Sequence, residues 1–413
     1  MNNKLPFIFH NLQDSQVFAL AQAAGRANYD VQGFIENINN APWVKKSNYI
    51  SQYAEMPNLG TVNKGVYALN IKKANMHGVF VPLVDDIAEL MAEYSPLLRK
   101  YGMRFLSVHP TQIDQSNTYY LQQWQGKLGI PQTVYCDGTQ LLETAKNIGF
   151  PIIIKSFRHG FITFDDANTM EAWFKANPNY PFHLVQRVQQ YIPGHTNSMA
   201  SVQLLFDVNS RPVRGFTTRR MRVSQSMYGP FGETVAANAE WIPELYHAAV
   251  ELLSELNWQG FAEVECKQDA SGQWQLLEIN PRLSGWACFA EADGAGFLQA
   301  YHHLCTEDTQ LEPACLQRSQ TTYSRMIAST MHQPDWHNLS WQSIKAMYKH
   351  QKNTCFGAWD KHDKAANRAW AKLMCKRFIK KKAKRLSFPT TSTLQTHRGN
   401  ANDKKHNFYQ YVD

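Results

Sequence analysis

Two glutamates, Glu265 in FAEVECK and Glu278 in LLEINPR, fall on either side of a turn over Asp269 to Gly272. The flanking segments read as the two strands of a hairpin, so the carboxylates lie side by side on neighbouring strands. Directly opposed like charges destabilise a sheet, and two carboxylates accept that arrangement when a cation sits between them. Asn280 adds a further oxygen donor two residues on, and Glu265, Glu278 and Asn280 together suit Mg2+, or Mn2+, bridging nucleotide phosphates. The other reading makes the two glutamates exposed cross-strand partners of lysines such as Lys267, and Asn280 a turn former before Pro281. Lys155 closes the apolar run GFPIIIKS, either as a solvated strand edge or as a phosphate contact. No Ser/His/Asp or Cys/His arrangement stands out. The seven cysteines are odd in number and scattered, without a CxxC, and read as reduced thiols.

The elements that must position these groups begin with short apolar runs alternating with amphipathic ones, the pattern of a parallel sheet whose strands are joined by helices. Strands are expected over Leu5 to His10, Val31 to Glu36, Gly78 to Leu83 and Met103 to Val108, and helices over Ser15 to Gly25 and Asp85 to Tyr101. The first strand runs into HNLQDS and carries no GxGxxG, so the simplest dinucleotide fingerprint is missing. Helices are then expected over Asn117 to Leu128 and Gln140 to Asn147, separated by the breaker GIPQT. From Phe182 the chain is strand-rich, with a hairpin at Asn209 to Arg211, a helix over Trp241 to Leu256 and the glutamate hairpin. A helix over Phe297 to Cys305, a strand over Thr321 to Thr330 and helices over Trp341 to Tyr348 and Lys364 to Lys382 complete the expectation.

Taken in order and at their separations, GIPQT, GFPIIIKS, VQQYIPGHT, FAEVECK and LLEINPRLSGW resemble the ATP-grasp superfamily of carboxylate–amine ligases, over about Asn117 to Gly296. The resemblance implies an α/β and α+β architecture: an ATP-grasp fold preceded by a small parallel α/β domain, with a helical C-terminal extension and a basic tail. The expected divisions are a preceding domain over 1–116, a small subdomain over 117–185, a large subdomain over 186–330, a helical extension over 331–375 and the tail over 376–413. Carried over position by position, Lys155 contacts nucleotide phosphates, and Gln189, Gln190, Tyr191 and Ile192 form a hinge whose main chain reads the adenine edge, with His195 near the ribose. Glu265, Glu278 and Asn280 hold one or two metal ions against the phosphates, and Arg282 stabilises charge on the transferring group. Arg220 and Arg222, with Arg219 beside them, are brought toward the phosphate or the substrate carboxylate. The residues alone leave His195 as a turn cap and the arginine run as a solvated strand face. Two departures stand out: Thr118 occupies the place where relatives carry a basic residue, and the loop after Lys155 has one glycine, Gly160, with Arg158 and His159 as substitute donors.

The implied reaction phosphorylates a carboxylate with ATP and lets an amine displace phosphate, which needs cations around developing negative charge and no side-chain nucleophile. The substrates are a small-molecule, peptide or glycan-precursor carboxylate and amine. The alternative is a non-catalytic nucleotide-binding scaffold of the same fold.

Lys plus Arg number 42 against 34 Asp plus Glu, a net charge of +8, yet ten of the basic residues and two of the acidic ones lie between Lys376 and Asp413. The preceding 375 residues carry 32 of each sign, which argues against a cationic surface that wraps a polyanion and hence against nucleic acid as partner. No apolar stretch approaches the ~20 residues of a membrane span, and MNNKLPFIFHNLQDSQ has too short an apolar patch for a signal peptide. A cytoplasmic protein is expected, and a homodimer is compatible with the sequence. The tail is either a solvated end or an attachment to an anionic partner or membrane surface, at the inner face.

Overall fold

Phe7, Ile8 and Phe9 are all fully buried, because the strand they form lies at the centre of a parallel sheet covered on both faces. The protein's structure is a computed structural model that describes residues 4–156, 160–178, 186–223, 234–307, 309–324, 353–355 and 359–386. In this first sheet β1 (Phe7–Phe9), β2 (Val31–Ile35), β3 (Ile50–Glu55), β4 (Gly78–Val81) and β5 (Met103–Arg104) run in the order β3-β2-β1-β4-β5. The helices α1 (Ser15–Arg26), α2 (Pro42–Lys46), α3 (Lys64–Ala74), α4 (Asp85–Glu93) and α5 (Ser95–Lys100) connect and cover it. Asp14 caps α1 by accepting the N–H groups of Gln16 (2.7 Å) and Val17 (3.2 Å), a contact worth about 1 kcal/mol. The helix expected over Asp85 to Tyr101 is two helices, since Pro96 begins a new one and supplies no N–H to continue the old. Strand β3 and helix α3 have no counterpart in the expected pattern; β3 is half-exposed on the sheet edge and its apolar alternation is weak.

After α6 (Pro110–Gln115), the chain builds an antiparallel sheet of β6 (Thr133–Cys136), β7 (Ile152–Ser156), β8 (Gly160–Phe164) and β9 (Gln186–Gln190), ordered β6-β9-β7-β8 and covered by α7 (Leu141–Ile148) and α8 (Ala167–Ala176). The helix expected over Asn117 to Leu128 is a single 3-10 turn, Tyr120–Gln123. Gly129 explains why: its N–H donates to Trp274 O and its carbonyl accepts from Leu276 N, both at 2.8 Å, so the chain is drawn out beside the glutamate hairpin in a single parallel bridge opposite Gln275. The stretch after Lys155 returns as β8, paired with β7 from Ile152↔Phe164 to Ser156↔Gly160; Arg158 and His159 lie outside the described residues.

The largest sheet holds β10 (Met199–Phe206), β11 (Pro212–Val223), β12 (Thr234–Ala239), β13 (Gly260–Gln268), β14 (Trp274–Asn280), β15 (Thr322–Ser324) and β16 (Thr354–Cys355), in the order β14-β13-β10-β11-β12-β15-β16. Ala200, Val202 and Leu204 of β10 and Ala262, Val264 and Cys266 of β13 pack with Leu245, Ala249 and Leu252 of α9 (Pro243–Glu255) into one core. The period of two turns the intervening residues, Ser201, Gln203, Glu263, Glu265 and Lys267, to the opposite face. Beyond β14, α10 (Ala287–Ala292) and α11 (Phe297–Thr306) join the core of the parallel sheet.

The final helix, α12 (Lys364–Leu386), is docked at its start: Asp363 accepts from Gln22 Nε2 (3.0 Å), Ser47 Oγ (2.6 Å) and Asn48 N (3.0 Å), and Asp360 pairs with Arg26. Ala366 and Trp370 are buried there, so this part of the helix belongs to the body. The strand expected over Thr321 to Thr330 is described only as β15; the helix expected over Trp341 to Tyr348 and residues 387–413 of the tail lie outside the described residues. Among the described residues no helix is long and apolar enough to cross a membrane.

Candidate functional site

A cavity of about 640 Å³ opens where the three sheets meet. The parallel sheet contributes Asn11 and Asp14 from the loop after β1 and Leu83 to Asp85 from the loop after β4. β1 and β4 are the neighbouring strands from which the order runs outward in opposite directions, and the carboxyl ends beside such a switch point are where open parallel sheets bind ligands. The small sheet contributes Ile153, Lys155, Arg187 and Gln189 to Ile192, and the large sheet Met199, Arg220, Glu263, Glu265, Lys267, Leu277, Glu278 and Arg282.

Glu265 and Glu278 are directly paired in register, and the register slips between Glu265 and Cys266, where Leu277 is the extra residue on β14. The bulge frees the Leu277 carbonyl to accept from Lys155 Nζ at 3.4 Å. Arg220 Nη2 lies 2.5 Å from Glu265 Oε2 and 3.2 Å from Ser201 Oγ, and Asn280 Nδ2 lies 3.4 Å from Glu265 Oε1. Burial alone would raise the Glu265 carboxyl, but the charge and hydrogen bond of Arg220, with Arg282 and Lys155, hold it below the ordinary range. Burial lowers the Lys155 ammonium to about 8, with Glu278 and Glu265 pulling upward and Arg187 downward. Burial pushes Glu263 up to about 7, reinforced by Glu265 and opposed by Arg282 and Arg220.

Arg282 is held on both its main chain and its side chain. Its Nε donates to Asp85 Oδ1 and its Nη1 to Glu263 Oε2, each at 2.8 Å. Gln203, fully buried on β10, donates to Arg282 O (3.3 Å) and accepts from Ser284 N (2.7 Å), and Leu283 N donates to Pro82 O (3.1 Å). A Cβ at Gly285 would come within 2.6 Å of the end of the Gln16 side chain, so the loop runs close against α1 and a larger residue there would displace that side chain.

Of the sequence-derived candidates, Lys155, Gln189, Gln190, Tyr191, Ile192, Arg220, Glu265, Glu278 and Arg282 line the one cavity, and Asn280 stands behind it against Glu265. Gln189 has its side chain turned into the protein, where Nε2 donates to Thr118 Oγ1 (3.1 Å) and Thr133 Oγ1 (3.0 Å). Thr118 is therefore a buried hydrogen-bonding partner of β9. Arg222 and His195 are not part of the cavity wall. Arg222 follows an irregularity of β11 that leaves Met221 unpaired, and His195 is an exposed residue opening a 3-10 turn, its carbonyl accepting from Ser198 Oγ at 2.7 Å. Arg219 faces away from Arg220 and pairs with Glu240 at 2.8 Å, with its guanidinium 5.2 Å from the Trp274 ring centre.

Four residues of the wall, Glu263, Lys267, Arg187 and Asp85, were not among the candidates. Glu263 and Lys267 each lie two residues from Glu265 on β13, so the strand period alone points to them. Lys267 is buried, which lowers it to about 8, with its ammonium 5.1 Å from the Tyr191 ring centre. Arg187 pairs with Lys155 across β9 and β7. Asp85, in the first turn of α4, carried the signal of a carboxylate at the carboxyl end of a parallel strand.

No protein-family model matches the sequence, and no curated protein matches it. Solved structures do match. The biotin carboxylase-beta-gamma-ATP complex from Campylobacter jejuni aligns with a TM-score of 0.58 at 11% identity, over 75% of this chain and 73% of that one. The biotin carboxylase domain dimer of the Hydrogenobacter thermophilus 2-oxoglutarate carboxylase, in complex with MgADP, ADP and bicarbonate, aligns at 0.57 with 12% identity, over 78% and 74%. The L-amino acid ligase from Bacillus licheniformis aligns at 0.52 with 14% identity, over 74% and 75%. The chain has the ATP-grasp fold. Within that fold its structural neighbours are of the carboxylate–amine ligase type.

Proposed function

We propose that the protein is an ATP-dependent ligase that joins a carboxylate to an amine through an acyl phosphate, releasing ADP and phosphate. The observation that carries this reading is the convergence of Lys155, Arg220 and Arg282 on the in-register pair Glu265 and Glu278 in one cavity between three sheets. Ile153, Ile192, Met199 and Leu277 form the apolar walls of a slot for the base. The N–H groups of Gln190 and Tyr191 are already donated to Gln132 O (2.8 Å) and Pro151 O (3.0 Å), and the donor assigned to the base edge in this proposal is Ile192 N–H. Lys155 and Arg187 follow from the small sheet as phosphate contacts.

Glu265, Glu278 and Asn280 are a hard-oxygen set that fits Mg2+, or Mn2+. Among the described residues no group of three His, Cys, Asp or Glu side chains that could hold a metal ion is present, so the proposed site rests on the paired Glu265 and Glu278 with Asn280 beside Glu265. Held by Glu265, Glu278 and Asn280, the ion would supply positive charge that offsets the charge of the nucleotide phosphates. The chain's own part is to orient the phosphates with Lys155 and to offset charge growing on the transferring group with Arg282. Arg220 holds Glu265 ionised. Arg222 and His195 receive no contact with the reacting groups in this proposal. The parallel-sheet end of the cavity takes the carboxylate and amine, which are small molecules or peptide or glycan precursors.

The test is to incubate the purified protein with Mg-ATP and mixtures of carboxylates and amines, following thermal stabilisation, ADP release and, with hydroxylamine present, hydroxamate from trapped acyl phosphate. Nucleotide-dependent stabilisation, ADP and hydroxamate are expected. Stabilisation with no ADP under any mixture would make the protein a nucleotide-binding scaffold, and absence of both would sink the ATP-grasp chemistry altogether.

A further inference from the structure

The Arg282 guanidinium spends two of its nitrogens on two carboxylates that come from different sheets. Asp85 belongs to the loop and helix that follow β4 of the parallel sheet, and Glu263 to β13 of the large antiparallel sheet. Glu263 is 3% exposed, and its other oxygen, Oε1, accepts from Trp286 Nε1 at 3.0 Å, so neither the carboxylate nor the ring can rotate without losing a buried hydrogen bond. Among the described residues Nη2 of Arg282 has no acceptor, which leaves it as the nitrogen presented to a ligand in the cavity.

We infer that Glu263 and Asp85 are positioning residues, a clamp drawn from two sheets that fixes the direction of the free Arg282 nitrogen. The inference rests on the ligase reading above and deepens it. An arginine has several rotatable bonds, and a donor aimed at developing charge stabilises it fully only if its orientation is set before reaction. Glu263 sets it inside a desolvated contact, while Asp85, its side chain half exposed at 51%, contributes the smaller share. Because the two carboxylates stand on separate layers, correct placement of Arg282 requires the parallel sheet to be docked against the large sheet. The bond from Leu283 N to Pro82 O secures the same junction through the main chain.

The test uses the full chain and, from a panel of carboxylates and primary amines, the pair that gives the fastest phosphate release. For Glu263→Gln, kcat should fall on the order of 30-fold with KM for ATP within about twofold of the parent, and for Asp85→Asn about fivefold. In an Arg282→Ala background neither substitution should lower kcat further, because the group they orient is gone. Millimolar guanidinium chloride should restore part of the turnover of Arg282→Ala but not of Arg282→Ala combined with Glu263→Gln. Additive losses in the double variants, or full kcat in Glu263→Gln where Arg282→Ala is impaired, would overturn the clamp while leaving the ligase reading standing. Full kcat in Arg282→Ala would remove the arginine's role itself, and the clamp with it. Mg-ATP stabilisation of every variant is measured alongside, and Glu263→Asp replaces Glu263→Gln should the latter fail to fold.

Discussion

Strand β1 places Phe7, Ile8 and Phe9 in the interior with no charged group among them, whereas β13 interleaves Glu263, Glu265 and Lys267 with Ala262, Val264 and Cys266. The first strand is apolar on both faces because helices cover both. The second is apolar only on the face that packs against α9 and carries its charges on the face turned to the cavity. Each desolvated charge there is a cost that its partners must offset: Arg220 against Glu265, Arg282 against Glu263 and Asp85. Where the chain stabilises itself it uses transfer of hydrocarbon, about 25 cal/mol per Å²; around the cavity it gives up part of that gain to hold charges in fixed positions.

Substitutions on the two sheets should therefore separate activity from stability. Glu278→Gln, on the exposed end of the pair, should lower turnover about a thousandfold or more, roughly 4 kcal/mol in the barrier, with an unchanged unfolding midpoint. Unchanged turnover would sink the metal assignment. Phe80→Ala in β4, fully buried, should cost about 3 to 4 kcal/mol of stability while folded molecules keep their turnover, as read by urea unfolding and active-site-normalised rates. Equal loss of rate per folded molecule would show that the parallel sheet does more than support the cavity.

His10, at the end of β1, sharpens the contrast by its titration. Burial lowers it to about 4 from an ordinary 6.5, with Nδ1 2.7 Å from Tyr67 Oη, so the folded protein keeps it neutral while the unfolded chain takes up the proton. Its contribution is complete above about pH 6.5 and is lost as pH falls, amounting to roughly 3 kcal/mol by pH 4. Denaturation of the parent and of His10→Gln across that window should differ in slope, and parallel curves would contradict it.

On the nucleotide side, Lys155 at about 8 predicts the opposite dependence. If its charged form meets the phosphates as proposed, ADP affinity should hold below pH 8 and fall above it, by up to about tenfold per pH unit, as binding comes to require proton uptake. Calorimetric titration of the parent and of Lys155→Arg, whose side chain stays charged, should give a falling and a flat profile above pH 8. A flat parent profile would remove Lys155 from the phosphate contact.

Much of the frame was readable without coordinates where one residue pattern has one structural solution. The run around Phe7 to Phe9, the turn at Asp269 to Gly272 and the helix over Ser15 to Gly25 follow from apolar period and turn chemistry. The neighbourhood of Glu265 and Glu278 was legible because a short turn joins their strands, but the turn's own register runs to Leu277, and the bulge at that residue is what sets the two glutamates opposite each other. Local propensity misread the segment 117–128, since Gly129 is bound by a distant hairpin whose hydrogen bonds outcompete a helix. Arg219 and Arg220 are adjacent and identical in type, yet one pairs with Glu240 beside Trp274 and the other with Glu265 in the cavity. The strand pleat separates them, but which face meets a partner depends on the neighbouring strands.

By itself the sequence determined most of the elements, the order of the motifs and the hairpin that brings Glu265 and Glu278 near each other, because short-range sterics, solvation and a tight turn act within a few residues of each other. Tertiary structure decided that Asp85 of the parallel sheet's layer reaches Arg282 of the loop after β14, that Lys267 is buried, and that Gln189 is turned toward Thr118. Those facts depend on how three sheets pack, on which surfaces exclude water and on pairs separated by as many as 197 positions, and none of these leaves a local trace in composition or period.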